Sequence, residues 1–136
     1  MNTELTSRLQ AFEGYNRYAY ECSAGKITIG YGTMIEPGGY GIPEDVATLL
    51  LEQAIADTRK SLSAHLWFRD LNEARQECLI EMAYQMGVFG VLGFSRMIEA
   101  LTLEDWEQAG REALDSLWAR QTPDRAIDVA NRLAAG

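Results

Sequence analysis

Positive charge is scarce in this chain: twelve Lys and Arg stand against twenty Asp and Glu, a formal net charge of −8 over 136 residues. A nucleic-acid binder carries a basic face to meet phosphate, so this balance argues against that class. Histidine is scarcer still, with His65 alone, and no Cys/His grouping has the spacing of a zinc site. No metal and no cofactor is expected. The only two cysteines, Cys22 and Cys78, read as free thiols of a reducing compartment, because disulfide scaffolds use many more. Long apolar runs are also missing, which excludes stable membrane insertion by a spanning helix. The opening residues Met1-Asn2-Thr3-Glu4-Leu5 have neither the basic nor the apolar region of a secretory leader, so accumulation in the cytoplasm is expected.

What remains is ordinary globular material, 47% hydrophobic and 24% charged, enough for one domain and far from the disordered class. The stretch from Phe12 to Gly32 organises it. Leu5, Leu9 and Phe12 at helical spacing predict a short amphipathic helix that delivers Glu13 at its last turn. Tyr15 to Thr33 then alternates, with Gly25, Gly30 and Gly32 as turn residues, and predicts two or three antiparallel strands turning near Ser23-Ala24-Gly25. Such a hairpin can fold Glu13, Cys22 and Thr28 toward one spot.

Beyond it, Met34 to Gly41 reads as a loop around Pro37-Gly38-Gly39, and Pro43 opens a helix of about five turns through Leu62. Asp70-Leu71-Asn72-Glu73 has the form of a capping box with an acidic first residue. It precedes a core helix with Leu71, Ala74, Cys78, Leu79, Met82, Ala83 and Met86 on its apolar face. Gly87 and Gly90 are expected to end that helix, and Gly93-Phe94 to start a short one. Thr102 to Asp105 and Thr122-Pro123 read as two further helix starts. The fold class is α+β and mainly helical.

The series Phe12-Glu13-Gly14, Lys26 to Gly32, Tyr84-Gln85-Met86-Gly87, Gly93-Phe94 and Trp118 to Arg125 closely resembles the phage T4-type lysozymes, endolysins that cut peptidoglycan. The resemblance runs from about residue 9 to 133. It implies a lysozyme-like fold: a small β-hairpin lobe over about 13–45, a connecting helix over about 43–62, and a larger helical lobe from about 1–12 and 60–136. The loop after Met34 is shorter than in the phage T4 enzyme, so the substrate lobe looks trimmed. The implied activity is a muramidase hydrolysing the β-1,4 bond between N-acetylmuramic acid and N-acetylglucosamine, held as a monomer in the host cytoplasm until a holin lets it reach the wall.

Residue by residue, the resemblance assigns Glu13 as general acid and Thr28 as the residue that holds water. Cys22 stands where the family usually has its catalytic Asp. Met34, Tyr84 and Gln85 would line the substrate cleft, Arg125 would pair with Glu13, and Trp118 would support the wall from the core side. Two other classes stay open here. One is a non-catalytic peptidoglycan-binding or structural protein. The other is a lytic transglycosylase, which needs the Glu but no second carboxylate.

Overall fold

A computed structural model describes residues 3–136. Met1 and Asn2, on which the reading of the leader partly rests, lie outside the described residues. The chain forms two compact units, divided between Leu49 and Leu50 within one helix. Helices dominate, and one small antiparallel sheet accompanies them, as the α+β lysozyme-like reading requires.

In the first unit α1 spans Thr3–Glu13 and stops at Gly14, whose φ of +71° no β-carbon obstructs and whose N–H bonds back to the Gln10 carbonyl at 3.0 Å. Three strands follow, β1 (Asn16–Glu21), β2 (Ile27–Gly30) and β3 (Thr33–Met34), in the order β1-β2-β3. The β1-β2 turn closes where expected, with Gly25 at φ +75° donating to the Cys22 carbonyl at 2.8 Å. β1 pairs Tyr20 with Thr28, and β2 pairs Thr28 with Met34, so Thr28 sits mid-sheet between two partners. The loop after β3 is pinned by Gly41 N–H to the Met34 carbonyl at 3.0 Å. Helix α2 (Glu44–Leu62) then begins behind Pro43, with Glu44 and Asp45 suiting its positive end.

The second unit takes α2 from Leu50 onward and adds α3 (Leu66–Arg69), α4 (Glu73–Met86), α5 (Val88–Leu92), α6 (Ser95–Thr102), α7 (Trp106–Leu114), α8 (Leu117–Gln121) and α9 (Pro123–Ala135). Its core gathers Phe68, Leu79, Met82, Met97, Val129 and Leu133, all at or near zero exposure. Helices α7 and α9 approach closely. A β-carbon at Gly110 would come within 3.0 Å of the Ala130 carbonyl, so the small residues of α7 are what let the two backbones meet.

Several local expectations shift. The cap of α4 is Asn72, whose side chain accepts from Arg75 N–H at 2.9 Å, and Asp70 instead closes α3. Gly90 lies inside α5, where any β-carbon would press on the Met86 side chain. Asp105, three residues later than Thr102, caps α7, because the Thr102 hydroxyl is turned back to the Ile98 carbonyl. In α4, Ala74 is exposed and its neighbour Arg75 is buried.

Arg75 is buried because it has work at the end of α9. Its Nε donates to the Leu133 carbonyl at 2.8 Å and Nη2 to the Ala134 carbonyl at 3.2 Å, while the guanidinium lies 3.7 Å from the centre of the Trp106 ring. Those carbonyls are among the last four of α9, which no helical N–H reaches, and a cation there also meets the negative helix end. Arg75→Met is expected to cost about 2–4 kcal/mol, since charge-assisted bonds are lost and carbonyls are left without partners. Arg75→Lys should recover only part, lacking the planar fork. Urea unfolding checks this: a lowered midpoint with unchanged slope is the expected result, and an unchanged midpoint would remove the assignment.

Candidate active site

Glu13 is the last residue of α1, and its carboxylate rests against Gly32. A β-carbon built at Gly32 would fall 2.5 Å from Glu13 Oε2 and 3.1 Å from its Cδ. Gly32 also has φ +76°, which L side chains rarely adopt. The glycine therefore serves the chain reversal and the acid together, a role that spacing alone did not separate from an ordinary turn. Glu13 itself is exposed.

Cys22 lies one residue past β1, its N–H bonded to the Lys26 carbonyl at 2.9 Å. Side chains on paired strands alternate faces together. Tyr20 opposite Thr28, and Cys22 two residues on, therefore share a face with Thr28 and Met34. The Cys22 thiol is half-buried and its pKa lies below the ordinary thiol value. Backbone hydrogen bonds from Lys26 and then Ala24 are the main causes, slight burial opposes them, and the Thr28 hydroxyl adds to the lowering. Of the nearby cations Lys26 and Arg17, the Lys26 ammonium is 3.5 Å from Glu36 and Arg17 lies over the Tyr18 ring at 5.9 Å. The polarising groups are thus backbone amides of the turn, which the identity of the side chains did not reveal.

Thr28 is buried, at 3% exposure, and donates its hydroxyl hydrogen to the Lys26 carbonyl at 3.0 Å. The Cys22 sulfur is a second acceptor within reach. Such a hydroxyl can turn toward the sulfur when the thiol ionises, or present a lone pair to a water.

The other candidates belong to the second unit. Tyr84 is exposed near the end of α4, and Gln85 beside it accepts a hydrogen bond from Trp118 Nε1 at 2.9 Å. Trp118 is buried and meets Phe94 edge-on, with ring centres 6.4 Å apart. Gln85 is therefore held by the core through an indole. Arg125 lies exposed in the first turn of α9, which starts at Pro123; Thr122 precedes it, its hydroxyl bonded to the Trp118 carbonyl rather than capping the helix.

With this geometry in hand, comparison with known proteins is specific. The family model described as phage lysozyme matches residues 10–132. The pre-baseplate central spike protein Gp5 of Enterobacteria phage T4 is 31% identical over 165 residues, covering 99% of this chain and 28% of the spike protein. Probable T4-type lysozyme 1 of Dictyostelium discoideum is 24% identical over 164 residues, covering the whole chain and 96% of its own length. Both alignments are longer than the 136 residues here, so each relative carries stretches that this chain lacks.

Proposed function

The chain belongs to the phage lysozyme family, and we propose that it is a muramidase that hydrolyses the β-1,4 bond between N-acetylmuramic acid and N-acetylglucosamine. The observation that carries this reading is the hairpin. One short sheet holds Cys22 and Thr28 on a shared face, and the strand turn after it cradles the Glu13 carboxylate.

In this mechanism Glu13 gives its proton to the glycosidic oxygen as that bond breaks. A water held by Thr28 attacks the anomeric carbon, and the Cys22 thiolate takes the water's proton. The thiolate thus stands in for the family's carboxylate, and attack by water gives inversion. Met34, Tyr84 and Gln85 contact the sugar, Arg125 positions Glu13, and Trp118 holds Gln85. Peptidoglycan is the partner, with no nucleic acid involved. Among the described residues no helix is long and apolar enough to cross a membrane. In the endolysin role a holin gives the chain access to the wall.

A turbidity assay on exposed cell walls, followed by mass spectrometry of the fragments, tests the reading. Clearing with reducing sugar ends supports it, anhydro ends assign a transglycosylase, and no clearing leaves a wall-binding or structural protein. The spike protein among the relatives favours one second reading. In it the chain is a part of a virion and cuts the wall from outside during entry.

Gly32→Ala offers a separate check on the cradle. The added methyl needs the space of Glu13 Oε2, and the carboxylate is the mobile end of its side chain, so it swings away. Stability should fall by about 1–2 kcal/mol from the left-handed backbone. Wall cleavage should fall by about 10²-fold, the cost of misplacing a catalytic group by an ångström or so. Initial clearing rates and urea midpoints on the same preparation separate the two effects. An undiminished rate would mean that Gly32 does not set the position of the acid.

A further inference from the structure

Lys26 touches both Cys22 and Thr28 through its backbone. Its carbonyl accepts from the Cys22 N–H at 2.9 Å and from the Thr28 hydroxyl at 3.0 Å. Backbone hydrogen bonding at Lys26 is also the leading cause of the low Cys22 pKa. The steps of wall cleavage leave the Lys26 side chain unused. Its ammonium lies 3.5 Å from Glu36 Oε1, in the loop that follows β3.

The sheet register brings these two side chains together. Glu21 pairs with Ile27 and Thr28 with Met34, and both ladders run on by one step. Cys22 N–H meets the Lys26 carbonyl, and Ile35 N–H meets the Ile27 carbonyl at 2.9 Å. Cys22, Lys26 and Glu36 therefore form one row across three arms, next to the row of Tyr20, Thr28 and Met34. Glu36 is held in turn: its carbonyl accepts from Gly39 N–H at 2.9 Å, and Gly41 N–H closes the loop on the Met34 carbonyl at 3.0 Å.

Water reaches both side chains of the pair, 52% and 28% exposed, so it adds little to the stability of the whole chain. What it restrains is local, the position of Lys26 where the turn enters β2. We propose that the Lys26–Glu36 pair is a positioning clamp of the candidate active site. It ties the loop after Met34 to the turn that carries Cys22, and so fixes the carbonyl that orients the thiol and the Thr28 hydroxyl. This rests on the reading of Cys22 as the base of wall cleavage.

The test reads the thiol directly. The full chain is treated with iodoacetamide from about pH 5 to about pH 10, and peptide mapping follows Cys22 apart from the buried Cys78. The ionisable neighbours are Glu21 beside Cys22, Tyr20 in the next row, Lys26 and Glu36 in the same row, Arg17 on β1 and Glu13 against Gly32. Each changes only where it is substituted. Glu36→Gln decides, because two effects of opposite sign compete in it. An ammonium that acts on the sulfur by its field alone would favour the thiolate more once freed from Glu36, and the midpoint of alkylation would fall. A lost clamp lets the turn drift from the thiol, and the midpoint should rise by about half a pH unit. Lys26→Arg keeps the charge and the reach, and should keep the midpoint of the parent. Amide exchange at Cys22 should quicken in Glu36→Gln and not in Lys26→Arg. A midpoint that falls or stays in Glu36→Gln overturns the clamp. So does unchanged exchange at Cys22, or an Arg variant shifted as far as the Gln variant. Where walls are cleared, the acidic limb of the rate should move with the midpoint. Alkylation needs no cleavage, so a parent that clears no walls ends the muramidase reading and leaves the clamp to be judged on the thiol.

Discussion

Glu13→Gln is expected to stop wall cleavage while leaving the folded chain intact. The amide has the shape of the carboxyl, so it fits the same gap beside Gly32. It has no acidic proton to give to a departing sugar oxygen, and a positioned acid typically contributes about 10²–10⁴-fold. The rate of clearing should fall by at least that range. Stability should move by no more than about 0.5 kcal/mol, because Glu13 is exposed. The sign should favour the variant, since a carboxylate at the last residue of α1 faces the negative end of the helix. Clearing rates and urea midpoints measured together decide the matter. Near-parental clearing by a folded Glu13→Gln protein would take the acid role away from this residue.

The second large effect concerns Cys22, to which the proposed mechanism gives the role of base. Cys22→Ala should lose about 10²–10⁴-fold in rate, the range of a positioned base, with the fold retained. Cys22→Asp should stay active. A small alkylating reagent should reach Cys22 well before Cys78, which is fully buried and whose thiol is pushed up by that burial. Alkylation should switch the enzyme off.

The pH profile carries the sign. Amide and hydroxyl donors at the turn stabilise the Cys22 thiolate and hold its pKa below the ordinary thiol value. The active thiolate is therefore present above that lowered pKa and is lost as pH falls through it. An Asp at the same place stays ionised to about pH 4, so the Asp variant should keep its activity further into acid. Thr28→Val removes one of the donors, and the acidic limb of the Cys enzyme should then move to higher pH. If Cys22→Ala clears walls as fast as the parent, Cys22 is a packing residue and its catalytic assignment ends, with Glu13 untouched.

Local signals in the sequence were sufficient wherever one residue type answers one backbone demand. Gly14 and Gly25 mark the end of α1 and the first turn because they take left-handed backbone at little cost, and Pro43 and Pro123 mark the starts of α2 and α9. The α+β class, the order of the strands and the longer helices, and the placing of Cys22 and Thr28 on adjoining arms of one hairpin follow from such signals and from strand alternation, whereas the short helices α3, α5 and α8 gave no signal of that kind.

Caps were harder to read, because several side chains compete for the same orphan N–H groups. Asn72 displaced Asp70, and Asp105 displaced Thr102, once the preceding helices had claimed the other residue. Only tertiary structure could bury Arg75, since the carbonyls it serves belong to a helix 58 residues away. Only tertiary structure could show that Gly32 makes room for Glu13, and that the backbone of the turn at Lys26 and Ala24 lowers the Cys22 pKa. Backbone amides are common to every residue but proline. Which of them point at a given atom is decided by how the chain turns, and residue identity carries no trace of it.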